Sequence, residues 1–101
     1  MLEWLKRKSR EKSAANIRMC VENLIAQANA VDAVLVRTGS ASPAEIKAVT
    51  KAKESLVIQL CGPIPLDTAW ETIVDPTARS HALSPGAIKA LEHTYILLTT
   101  K

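Results

Sequence analysis

Apolar residues recur along most of the chain in steps of three and four, the spacing of one face of an α-helix. The clearest stretch is Ile17, Cys20, Val21, Leu24, Ala28, Val31 and Leu35. Arg18, Glu22, Asn29 and Asp32 fall on the opposite side and are expected to face solvent. The first helix is therefore predicted over residues 2–37. Thr38-Gly39-Ser40-Ala41 ends it, with Gly39 as a left-handed cap. A helix of that length runs about 50 Å at 1.5 Å per residue, longer than a compact domain of this size. It must either break near residues 9–13 or project beyond the domain.

Ser42-Pro43-Ala44-Glu45 is a capping box with proline at the first helical position. It opens a second helix carrying Ile46, Val49, the Lys53 stem, Leu56, Val57 and Leu60 on one stripe. Cys61-Gly62-Pro63-Ile64-Pro65 stops that helix and forces an extended connection. A short third helix is expected over residues 67–74, capped by Asp67 or Thr68, with Thr68-Ala69-Trp70-Glu71 as its capping box. Asp75-Pro76 then opens a further helical turn or a structured loop through Leu83. Ser84-Pro85 repeats the cap-then-proline device and starts a last helix striped by Ile88, Leu91, Tyr95 and Leu98, with Ala87, Ile96 and Leu97 widening the stripe.

The expected fold is all-α: one domain over residues 1–101, a small bundle of about four helices with a long N-terminal helix. Fifteen Ala against three Gly support it. The alternative is an α+β fold with a small sheet, using the β-branched runs at 33–36, 56–60 and 95–100. Helix is preferred because each run continues a helical stripe and no Asn-Gly or Asp-Gly turn joins them.

Charge changes this picture in one place. Residues 1–12 hold Lys6, Arg7, Lys8, Arg10 and Lys12 against Glu3 and Glu11, which accounts for the whole net charge of +3. Ahead of them lies the mostly apolar Met1-Leu2-Glu3-Trp4-Leu5. Three readings compete for this projecting basic segment. It is a solvated helix start whose Trp4 packs on the domain or a second subunit; it lies on an anionic membrane surface; or it contacts nucleic-acid phosphates. A helix-turn-helix pattern, a zinc finger and interleaved aromatics are missing for the last. The expected partner-binding residues are Trp4, Leu5, Lys6, Arg7, Lys8, Arg10 and Lys12.

Candidate chemistry is sparse. Cys20, Cys61, His81 and His93 lack the close ligand pairs of structural zinc sites. Cys61 falls at a helix C-terminus, where the dipole disfavours a thiolate. Ser42 and Ser84 are assigned to capping, as are Glu45 and Glu71, and Asp75 to opening a helix. The three isolated glycines form no phosphate loop. No catalytic residue, cofactor or metal is expected. The two widely spaced cysteines suit a reducing compartment, and the longest charge-free run, residues 55–66, is too short to span a bilayer, so the expected location is cytoplasmic. The function expected is a non-enzymatic protein-interaction module: an adaptor, an inhibitor or regulator, or an assembly subunit. It would bind a protein partner through the long N-terminal helix, whose length also favours a homodimer. The alternative is a nucleic-acid or anionic membrane-surface binder acting through the basic segment.

Overall fold

The computed structural model describes residues 2–100, with side chains from Arg7 onward. It is all-α, with 84% of residues helical and no strand among those described. The runs at 33–36 and 56–60 lie wholly in helices, and the third is helical through Thr99. Helix α1 spans Leu2–Thr38 and α2 spans Pro43–Leu60. Helix α3 covers residues 66–79 and joins Leu66–Ala69, a π turn at Trp70–Val74, and Asp75–Arg79. Helix α4 spans Pro85–Thr99.

Short connections make sequence neighbours antiparallel, so the helices run up, down, up and down. α1 does not break near residues 9–13. Its 37 residues are about 55 Å of helix, matching the 56 Å long axis of the molecule. Ser13 is the first buried residue with a described side chain, and Arg7 to Lys12 are all exposed. The basic segment therefore continues α1 beyond the body of the bundle.

The core draws on every helix: Ile17, Val21, Leu24 and Ile25 from α1, Ala52, Leu56 and Leu60 from α2, Ala69, Ile73, Val74 and Ala78 from α3, and Leu91 from α4. By length and composition α1 is also apolar enough over Arg7–Thr38 to cross a membrane, although charged residues interrupt it. Its most buried apolar residues are the ones that build this core.

The helix ends follow local chemistry. Gly39 takes φ +84° and its N–H donates to the Leu35 carbonyl at 2.8 Å. At α2, the Glu45 N–H donates to Ser42 Oγ at 3.2 Å and the Ser42 N–H donates to Glu45 Oε1 at 3.3 Å, closing the capping box.

Three expectations are corrected. The third helix starts at Leu66 rather than Asp67, with Pro65 at its cap position and no side-chain capping bond. Leu66 packs against the core and draws the first turn one residue earlier, so Thr68 and Glu71 fall inside the helix and form no capping box. The helix also does not stop before Asp75-Pro76. Pro76 has no N–H for the Thr72 carbonyl and its ring crowds that carbonyl. One widened turn absorbs both, with the Asp75 N–H donating to the Trp70 carbonyl. Finally, α4 buries Leu91 of the expected stripe together with Ala87 and Thr94, while Tyr95 and Leu98 are only partly buried and Ile88 is exposed. Thr94 is fully buried because its hydroxyl donates to the Ala90 carbonyl at 2.8 Å, leaving only its methyl to pack. Ile88 and Ile96 are consequently 43% and 56% exposed.

Candidate interaction surfaces

The residues read as the outer face of α1 are used to hold the α3–α4 connection. Asn29 Nδ2 donates to the Ala82 carbonyl at 2.8 Å, and Asn29 Oδ1 accepts from the Ser84 N–H at 2.9 Å. Asp32 Oδ2 accepts from the Gly86 N–H at 2.7 Å. Ser84 itself caps α4 by accepting from the Ala87 N–H at 3.2 Å. Ala87 occupies the position where a capping box would place Glu, and it is fully buried. Asp32 supplies a carboxylate to the start of α4 instead, from 54 residues away, where the helix dipole favours it. Glu22 approaches His81 Nε2 at 3.6 Å, while His81 Nδ1–H donates to the Thr77 carbonyl at 2.9 Å. Sequence spacing alone gave no sign of these long-range partners.

Of the expected binding residues, Arg7, Lys8, Arg10 and Lys12 are exposed on α1. Trp4, Leu5 and Lys6 lie outside the described side chains. Arg7, Arg10, Glu11 and Ala14 line a groove of about 680 Å³ whose other wall is Ile64, Thr68, Thr72 and Ile73. The two arginines are thus brought onto one side of the helix, against the start of α3.

A second surface was missed. A groove of about 480 Å³ runs between α3 and α4, floored by Trp70, Val74, Leu83, Leu91 and Tyr95, with Ile88 and Ile96 along α4. Its volume falls in the range of small-molecule and peptide pockets. The Trp70 and Tyr95 rings meet at 4.9 Å between centroids, tilted by 58°. Tyr95 Oη donates to Asp67 Oδ1 at 3.5 Å. Asp75, Arg79 and Glu92 rim this groove, and Asp67 and Glu71 flank the aromatic pair. The signal for it in the sequence is the acidic spacing of Asp67, Glu71 and Asp75 along a single helical edge. Glu71 caps nothing.

The cysteines and histidines stay apart. Among the described residues no three His, Cys, Asp or Glu side chains converge as a ligand set. Cys20 is half-buried and burial pushes its thiol pKa up, while Cys61 is exposed at the end of α2. Lys53 Nζ donates to His93 Nδ1 at 2.8 Å.

Fold and surfaces together define a small four-helix protein with one projecting basic helix end and one acid-rimmed apolar groove. No protein-family model matches the chain, and neither a curated protein nor a solved structure matches it.

Proposed function

We propose that the chain is a non-enzymatic interaction module, an adaptor, regulator or assembly subunit, that binds a protein partner through the N-terminal end of α1. One observation carries this reading: α1 runs unbroken past the bundle, with Arg7 to Lys12 all exposed. A rigid helix held out by its own core loses little conformational freedom when a partner docks, which favours affinity. Trp4 is the expected anchor, since buried aromatics tend to dominate interface energies. The test is affinity purification from the native host with the full chain and with an Arg7→Glu/Arg10→Glu variant. A protein retained by the first and lost by the second supports the reading; identical sets of retained proteins overturn it.

A second reading is favoured by the placement of Arg7 and Arg10 along one groove with the hydroxyl-bearing Thr68 and Thr72. That arrangement suits phosphate groups of nucleic acid or anionic lipid. It requires binding to DNA, RNA or anionic vesicles that weakens steeply with added salt. Absence of binding to all three at low salt removes it.

A further inference from the structure

Resting on the reading of α1 as the binding element, we infer that its partner is a second copy of the chain, whose projecting basic segment seats in the acid-rimmed groove between α3 and α4. Charge is the first argument. The segment carries Lys6, Arg7, Lys8, Arg10 and Lys12, and the groove and its aromatic mouth present Asp67, Glu71, Asp75 and Glu92 against the single cation Arg79. Opposite fields of this kind set register and speed encounter.

Apolar content is the second argument. Leu2, Trp4 and Leu5 precede the basic run. The groove offers Trp70, Tyr95, Ile88 and Ile96, with Ile96 56% exposed. Seating apolar residues of a helix on such a floor is a general mode of helix recognition.

Placement is the third. The Arg7 and Arg10 groove is walled by Thr68 and Thr72 of α3, so the acidic mouth at Asp67 and Glu71 lies at the same end of the bundle from which α1 projects. Because α1 is one continuous helix from Leu2, the segment cannot fold back into its own groove. Two copies placed antiparallel about a two-fold axis each lay a segment along the other's groove, which closes the assembly.

The experiment is light scattering on the eluting protein over a dilution series, with circular dichroism to verify folding. The full chain is expected at twice its 10.9 kDa mass. Ile96→Glu, at an exposed position, should leave the helical signal unchanged and raise the dissociation constant at least about tenfold. Glu71→Lys/Glu92→Lys makes the groove basic, and Lys6→Glu/Arg7→Glu/Arg10→Glu makes the segment acidic. Each variant alone should be monomeric, and the two mixed should form a heterodimer, a rescue that mere misfolding does not produce. A full chain monomeric at every concentration overturns the inference. So does a dimer indifferent to both charge reversals. The binding reading itself survives either result if a different protein still depends on Arg7 and Arg10, and falls with the inference if none does.

Discussion

Replacing Gly86 with alanine sets two effects against each other. Glycine in a helix is a poor choice on entropy grounds, and Gly→Ala at a compatible site stabilises by about 0.4–1 kcal/mol. Here the new Cβ would stand 2.6 Å from both Asp32 carboxylate oxygens and 2.9 Å from the carbon that bears them. Asp32 must swing away, breaking its 2.7 Å bond from the Gly86 N–H. A hydrogen bond to a charged group contributes about 1.5–3 kcal/mol, and a carboxylate at a helix N-terminus adds about 0.3–1 kcal/mol. The loss exceeds the gain, so Gly86→Ala should destabilise by about 1–3 kcal/mol. For a domain of this size each kcal/mol lowers Tm by roughly 4–8 °C. In an Asp32→Ala background the carboxylate is already gone and the same substitution should stabilise by up to about 1 kcal/mol. Urea unfolding followed by far-ultraviolet circular dichroism on the four proteins of this cycle reads both numbers. A rise in stability on Gly86→Ala with Asp32 intact, or the same sign in both backgrounds, would refute the reasoning.

Other substitutions separate local from packed contributions. Gly39→Ala places a side chain at φ +84° with nothing within 4 Å of its Cβ, so the cost is backbone alone, about 1–2 kcal/mol by the same unfolding assay. Ser42→Ala removes one half of the capping box and should lose about 1 kcal/mol, with Ser42→Asp largely restoring it. Leu24→Ala empties a fully buried site and should cost about 2–5 kcal/mol, seen as a lower urea midpoint at unchanged slope. Thiol labelling at neutral pH should be biphasic: Cys61, exposed, reacts first, and Cys20, half-buried with a raised pKa, reacts slowly until denaturant is added. Cys61→Ser should remove the fast phase alone.

The end of α1, both ends of α2 and the start of α4 were legible in the sequence because capping is a matter of four or five adjacent residues. Ser42 finds Glu45 three positions on, Ser84 finds the Ala87 N–H, and Gly39 needs only its own backbone freedom. The basic run of residues 6–12 was equally legible, whereas the sequence left open whether α1 breaks near residues 9–13 or runs through them. Which side of each helix would be buried was not. The α4 pattern admits a stripe through Ile88 and Tyr95 or one through Ala87 and Thr94. Only the position of the neighbouring helices selects the second, and that choice opens the α3–α4 groove. Asn29 and Asp32 read as solvent-facing because their partners lie more than fifty residues away. Pro76 read as a break because the helix is held together across the proline by core residues on either side of it, Ala69, Ile73 and Val74 before and Ala78 after. Local hydrogen bonding is written in short windows of sequence; burial depends on what packs opposite, and for this chain that placement existed only once the four helices were assembled.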